Sequence, residues 1–256
     1  VPVVAVLHPN ATFRRTVRRG LRPFRLRAAV CRSPEALSLL FRREVVDAVI
    51  LGGAPGGPEP SGRILTSYPR VPVFVAGGFR PGDGGMLMGY RRAGVRGILV
   101  DGVDDAAAAE IVAARAASRR RRAALADAPR MLRLTEPLQQ RAWEEILHRV
   151  DTRLGTAEVA RALRVTREHL SREFGAGGAP NLKRVIDLVR VICAADLLAN
   201  PGYDVPTVTR VLRYSSPGHF SACAERVAGV SAGELGALPL AEVLARFVRG
   251  RTRSRP

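Results

Sequence analysis

A chain of 256 residues, 46% hydrophobic and 25% charged, has a globular composition and suits one large or two ordinary domains. Its formal charge of +18 and a sequence pI of about 11.5 favour a polyanionic partner, most simply nucleic acid. No apolar run approaches the roughly 20 residues that span a bilayer, and the opening VPVVAVLHPN has no basic leader, so a cytoplasmic chain with no signal peptide and no membrane partner is expected.

Residues 1–123 alternate in pattern. VPVVAVL is a short buried-strand run, ATFRRTVRRGLR has helical spacing and FRLRAAV is strand-like. SPEALSLLFRRE reads as a helix with Ser33 as cap and Pro34 at the first position. DAVILGG is an apolar run ending in glycines, PSGRILTSYP a short helix or turn, VPVFVAGG a strand, GGMLMGYRRAG a helix and RGILV a strand. DDAAAAEIVAARAASRRRR closes the series as one long helix, acidic in its first turn and basic in its last, as the helix dipole favours. Five strands alternating with helices predict a five-stranded parallel sheet with helices on both faces, the doubly wound α/β class.

RRRRAALADAPRMLRL breaks this alternation at Pro129, and a linker is expected over 124–134. Beyond Pro137 every periodic run is helical, so an all-α domain over 135–237 and a C-terminal helix with a basic tail over 238–256 are expected, the tail RGRTRSRP being unpatterned. Cys31, Cys193 and Cys223 are widely spaced with no C-x-x-C pair, which reads as buried free thiols. His8, His148, His169 and His219 form no ligand motif, so neither a metal nor another cofactor is expected.

The helical part contains one plan twice. In TAEVARALRVTREHLSREF, Thr156 is placed to cap a helix whose Val159, Ala160 and Leu163 share a face. Arg164 and Val165 make a turn, Thr166 caps a second helix, and Leu170 and Phe174 face inward. Thr166, Arg167, Glu168, Ser171 and Arg172 then line the outward side, where a short helix can enter a major groove and arginine can pair bidentately with guanine. DVPTVTRVLRYSSPGHFSACAERVAGVS repeats this: Val205, Val208, Val211 and Leu212 face inward, Arg213 and Tyr214 turn, Ser215 or Ser216 caps, and Pro217 begins a helix with Phe220 inside. The outward set is Ser216, Pro217, His219, Ala222 and Arg226. Between the units PNLKRVIDLVRVICAADLLAN reads as a long amphipathic helix with Ile186, Val189, Ile192, Cys193 and Leu197 in one stripe.

LSREF, LVRVICAADLLAN and VTRVLRYSSPGHFSACAERVAGVSAGEL follow one another in the order and spacing of the AraC/XylS-type DNA-binding domain, which residues 135–237 resemble. The resemblance implies a helical domain that presents two helix-turn-helix units to successive major grooves of double-stranded DNA, with Arg190 as the family's connecting-helix arginine. Four positions depart from the pattern. Thr209 stands for a small residue, Arg213 for the usual glycine before the aromatic, and Ala222 and Ala224 for an Arg and a Phe in the second recognition helix. Arg167 and Arg172 of the first unit are therefore expected to carry more of the base reading.

The α/β part resembles a response-regulator receiver in layout. The positions that the resemblance assigns to phosphoryl chemistry hold His8 and Pro9 after the first strand, Gly52 at the end of the third, Gly77 at the end of the fourth and Asp101 at the end of the fifth. Without carboxylates to collect a divalent cation the in-line transfer lacks electrostatic support. A degenerate receiver, or a similar α/β module, that does not autophosphorylate is expected, with a homodimer through its helical faces as one option for its role and small-molecule sensing as another. Gly52, Gly53, Gly56, Gly57, Gly77, Gly78, Gly82 and Gly84 crowd the C-terminal strand ends, where open α/β sheets bind ligands. They read as loops filling the emptied site, with a small-molecule effector as the alternative. GGAPGG lacks the G-K-[ST] of a phosphate loop, and Asp101, Asp104 and Asp105 read as caps for the last helix. A DNA-binding transcription regulator is thus the leading expectation. An enzymatic α/β module finds only His8, Asp83 and Asp101 as candidates with no constellation among them. A protein-interaction module or a non-specific DNA-binding protein completes the alternatives.

Overall fold

The computed structural model describes residues 2–53, 59–150, 152 and 154–253. Gly56 and Gly57 of the glycine series lie outside the described residues. The chain forms two compact units, Val1–Arg119 with Asn200–Gly202, and Arg120–Ala199 with Tyr203–Pro256.

The first unit runs β1 (Val3–Leu7), α1 (Ala11–Gly20), β2 (Arg27–Val30), α2 (Pro34–Phe41), β3 (Val46–Gly52), α3 (Glu59–Ser67), β4 (Val73–Gly77), α4 (Gly84–Arg92), β5 (Gly97–Val100) and α5 (Ala108–Arg115). The five strands form one parallel sheet in the order β2-β1-β3-β4-β5. Strand order reverses between β1 and β3, so the fold is doubly wound as the alternation predicts. The central strands read as apolar runs, interrupted by Asp47 in β3, because both their faces are covered. Phe13 and Val17 of α1, Leu21 just after it, and Ala108 and Val112 of α5 pack with Val4, Val6, Ile50, Phe74 and Leu99 on one face. Leu37 and Phe41 of α2 and Tyr90 of α4 are also buried. Phe41 stacks on Tyr68 with ring centroids 3.8 Å apart. Burial of each phenylalanine contributes about 1.5–3 kcal/mol.

The long final helix predicted for this part is two helices. It begins only at Ala108, because Asp104 Oδ2 accepts the Val100 amide (2.7 Å) and Asp105 Oδ1 accepts the Gly102 amide (2.9 Å), holding residues 101–107 in turns. It breaks at Ala116, which is extended (φ −57, ψ 149), before α6 (Ala117–Ala124). Ser118, in the first turn of α6, donates its amide to Oδ2 of the fully buried Asp47 at 3.3 Å. An anion at that end also favours the helix dipole.

The second unit continues from α6 through α7 (Ala128–Met131), α8 (Pro137–His148), α9 (Thr156–Leu163), α10 (Arg167–Phe174), α11 (Leu182–Leu198), α12 (Val205–Val211), α13 (Pro217–Ala228) and α14 (Leu240–Arg253). The segment 124–134, read as a linker, holds α7 and the buried Leu125, Leu132 and Leu134, and the division between units falls earlier, inside α6. The basic tail continues as helix to Arg253, where Glu242 accepts from both Arg246 (2.9 Å) and Arg249 (2.6 Å) one and two turns on. Residues 254–256 lie outside the described residues.

α11 differs from the amphipathic reading. It is capped by Asn181, whose Oδ1 accepts the Arg184 amide at 2.9 Å, and it is buried all round from Val185 to Leu197. Its charged groups are buried with partners. Asp196 accepts from Arg120 (2.7 Å) and Arg121 (3.1 Å), and Asp187 accepts from Arg226 (2.8 Å). Arg190 donates to the Leu212 carbonyl at 2.7 Å. Pairing is what makes such burial tolerable.

Candidate nucleic-acid interface

Two helix pairs joined by short turns, α9–α10 and α12–α13, are built alike in detail. Gly155 rather than Thr156 precedes the first helical residue of α9, and Glu158 Oε2 reaches back to accept the Gly155 amide at 2.9 Å. α9 ends at Arg164 in the left-handed region (φ 58), two residues turn the chain, and Thr166 Oγ1 accepts the His169 amide at 3.1 Å to cap α10. In the second pair Asp204 caps α12 by accepting the Thr207 amide at 2.8 Å, Arg213 turns in the left-handed region (φ 57), and Ser216 Oγ caps α13 by accepting the His219 amide at 3.1 Å. Pro217 takes the first helical position, where its missing N–H costs nothing.

Packing fixes which face each second helix shows. Leu170 and Phe174 of α10 and Phe220, Cys223, Ala224 and Val227 of α13 are buried. Thr166, Arg167, Glu168, Ser171 and Arg172 are exposed on α10, and Ser216, Pro217, His219 and Ala222 on α13. Gln139 of α8, fully buried, donates its side-chain amide to the carbonyls of Phe174 (3.0 Å) and Ala176 (3.2 Å) and holds the end of α10. Val205 of the predicted inner face is only half-buried.

Arg226 is exposed on α13 as well, and it is also engaged with α11. Its guanidinium reaches Asp187 Oδ2 at 2.8 Å, so it braces α13 against α11, while Lys183 approaches the same carboxylate at 3.7 Å. One residue that the sequence reading passed over lies half-buried beside the exposed row. His169 stands three residues after the Thr166 cap, the offset that His219 has from Ser216. The shared pattern of cap, two residues, His, apolar residue and Ser was the available signal. Arg172 lies beside His169 Nδ1 (3.4 Å) and Glu173 Oε1 (3.5 Å) along α10, and Ser215 Oγ holds His219 Nδ1 at 2.9 Å.

The second pair accommodates Thr209 and Arg213 locally. The Thr209 hydroxyl, buried in α12, donates to the Val205 carbonyl at 2.8 Å. Arg213 holds a left-handed conformation that costs a residue with a Cβ about 1–2 kcal/mol. Arg213→Gly removes that strain and raises unfolded-state entropy, so a net gain of about 0.5–1 kcal/mol is expected in denaturant unfolding. Burial first, and the Asp187 charge second, pushes the Cys223 thiol up to about 11, while burial raises the Tyr214 hydroxyl well above its ordinary range. Cys223 is therefore a protonated, weakly reactive thiol at neutral pH. Cys31 and Cys193 are also buried and form no disulfide.

At the strand ends of the first unit, His8 is buried, accepts the Asn10 amide on Nδ1 (3.2 Å), and directs Nε2 to the Ala76 carbonyl (3.2 Å) and Asp101 Oδ1 (3.4 Å). A Cβ on Gly52 would lie 2.6 Å from the Pro9 ring and 3.2 Å from the His8 ring. The position that the receiver resemblance assigns to a phosphoacceptor thus has no room for a side chain. Among the described residues no group of His, Cys, Asp and Glu is arranged to hold a metal ion, and no helix is long and apolar enough to cross a membrane.

No protein-family model matches the chain, and no curated protein matches it. Among solved structures it is similar to a response regulator from Thermotoga maritima, at 18% identity over 44% of this chain and 94% of that one, TM-score 0.40. It is also similar to full-length FixJ from B. japonicum (14% identity, 93% of this chain and 98% of that one, TM-score 0.39) and to the response regulator StyR (14%, 73% and 98%, TM-score 0.37).

Proposed function

We propose that the chain is a sequence-specific DNA-binding transcription regulator of AraC/XylS type, cytoplasmic and without enzymatic activity. In this reading α10 and α13 enter successive major grooves about 10 bp apart. The observation that carries it is the duplicated second helix: each is hydroxyl-capped, buried along one side and exposed along its N-terminal half, on a strongly basic chain. Arg167 and Arg172 supply base reading from α10, with Glu168 as an acceptor for cytosine. α13 carries Ala222 where an arginine would reach a base, so His219 and Ser216 are its polar contacts. The α/β unit works without phosphorylation, since His8, Pro9 and Gly52 fill the position of the reaction, and it supports a homodimer.

Selection of bound duplexes from a random library at near-physiological salt tests this reading. The expected motif has two half-sites one helical turn apart, the α10 half better defined, and an inverted copy of it reports the dimer. Uniform recovery of unrelated DNA overturns it. Arg172→Ala is expected to relax preference at one or two base pairs of the α10 half-site, each by about 1–3 kcal/mol, and to leave the α13 half-site as it was. Competition binding with single-base variants of the site measures this.

A second reading adds a small-molecule effector. A cleft of about 490 Å³ opens at the C-terminal ends of β1 and β3, the switch point of the sheet, lined by Leu7, Leu37, Leu51 and Ile64 with Glu35 and Arg63. A ligand there would raise the thermal midpoint of the full chain.

A further inference from the structure

Residues 1–34 carry arginine at positions 14, 15, 18, 19, 22, 25, 27 and 32 and no aspartate or glutamate at all, in a chain that has 23 acidic residues. The fold gathers most of these charges on one surface. Phe13 and Val17 turn the inner side of α1 into the core, with Leu21 just after it, which leaves Arg15, Arg18 and Arg19 exposed along its outer side and Arg22 and Arg25 exposed just beyond its end. Two of the remaining arginines are used locally. Arg14 donates to the carbonyls of His8 and Pro9, and Arg27 pairs with Glu44. Arg15 bonds only the Thr12 hydroxyl at 3.2 Å. Arg18, Arg19, Arg22 and Arg25 have no carboxylate partner among the described residues.

Such a surface costs stability in the free protein. Arg14 with Arg18 and Arg15 with Arg19 are like charges four residues apart, and Arg15 with Arg18 three apart, each unfavourable by about 0.2–0.5 kcal/mol. Cations in the last turn of α1 suit its dipole, but this accounts only for Arg18 and Arg19 and not for Arg15, Arg22 or Arg25. The second unit handles the same composition differently. Its helices interleave acids with bases, as in Arg149 with Glu145, Lys183 with Asp187 and Arg246 with Glu242. An unneutralised arginine row on one helix fits a partner that brings the negative charge, and a duplex offers one charge per roughly 1.7 Å of its axis.

We infer that the outer side of α1 is a second nucleic-acid surface, through which the α/β unit binds the phosphate backbone of duplex DNA without reading its sequence. Arg15, Arg18, Arg19 and Arg22 each neutralise a phosphate and release a counterion. This surface adds to the affinity of the whole chain and leaves its site preference to α10 and α13.

The test measures the salt dependence of affinity of the full-length protein for a random-sequence duplex, so it reads out whether or not an operator exists. Arg15→Gln, Arg18→Gln, Arg19→Gln and Arg22→Gln are combined in one variant. A second variant removes four exposed charges from the same unit outside α1, with Arg42→Gln, Arg43→Gln, Arg91→Gln and Arg92→Gln. Each lost phosphate contact lowers the slope of log K against log salt by about 0.9, so a decrease between about 0.9 and about 3.6 is expected for the α1 variant and less for the second. Both variants keep the wild-type thermal midpoint or exceed it. Equal slopes for wild type and the α1 variant overturn the proposal, as does an equal decrease in the two variants, which reports net charge alone. An unchanged DNA slope together with lost binding to phosphatidylserine vesicles also overturns it and assigns the surface to anionic lipid. Loss of all sequence preference in the library selection with a lowered slope here sinks the regulator reading and leaves this surface standing.

Discussion

Asp196→Ala is expected to destabilise the second unit by about 3–5 kcal/mol, the cost of breaking a buried ion pair from one side. The Asp196 carboxylate is 2% exposed and accepts from Arg120 at 2.7 Å and from Arg121 at 3.1 Å. Arg121 is itself buried, so it loses this neutralising charge in a place water barely reaches. A stability of 5–15 kcal/mol is ordinary for a domain, so the loss is about a fifth of it or more. Trp143 is the only tryptophan, lies buried in α8 of this unit, and reports its unfolding by fluorescence in urea. Asp196→Asn keeps the volume and an acceptor oxygen and is expected to lose less. Combining Asp196→Leu with Arg121→Leu is expected to recover most of the loss, because an apolar pair needs no neutralisation. A shift under about 1 kcal/mol for Asp196→Ala would mean that the carboxylate contributes no net stability where it is buried.

This anchor also marks where the sequence was opaque. The strands β1, β3 and β4 are legible because continuous apolar runs of four to seven residues have few other uses. The caps Thr166 and Ser216 are legible because a hydroxyl before a short amphipathic run has a specific task at a helix start. α11 was not, since Asp187, Arg190 and Asp196 look like a solvated face until Arg226, Leu212 and Arg121 are seen to meet them from distant parts of the chain. The break at Ala116 was hidden for a different reason: alanine is the best helix former, and only the buried Asp47 beside the Ser118 amide gives α6 its own start. The candidate interface divides in the same way. Its exposed row on α10 follows from helical periodicity. The placement of Arg226 against Asp187 and the parallel roles of His169 and His219 required coordinates.

Arg190→Ala is expected to cost about 3–5 kcal/mol and to remove the contribution of α13 to DNA recognition before that of α10. The Arg190 guanidinium donates to the Leu212 carbonyl at 2.7 Å and lies over the Tyr214 ring at 3.9 Å, so one planar group holds both sides of the turn that joins α12 to α13. A hydrogen bond from a charged donor is worth about 1.5–3 kcal/mol, and a desolvated cation over an aromatic ring about 2 kcal/mol or more. Truncation also leaves a cavity beneath Tyr214, which in turn packs against His219 (5.7 Å between centroids) and Phe220 (4.9 Å). The disturbance therefore reaches the first turn of α13 directly. α10 is held by Gln139 and by its own buried Leu170 and Phe174. Arg190→Lys keeps the charge but loses the flat face over the ring and the fixed fork, so it is expected to behave more like alanine than like wild type. Affinities for duplexes carrying one intact and one scrambled half-site separate the outcomes. A selective loss on the α13 half-site places Arg190 as the brace of that turn. An equal loss on both half-sites would mean that the variant loosens the whole unit, and wild-type affinity on both would mean that the turn holds its shape without it.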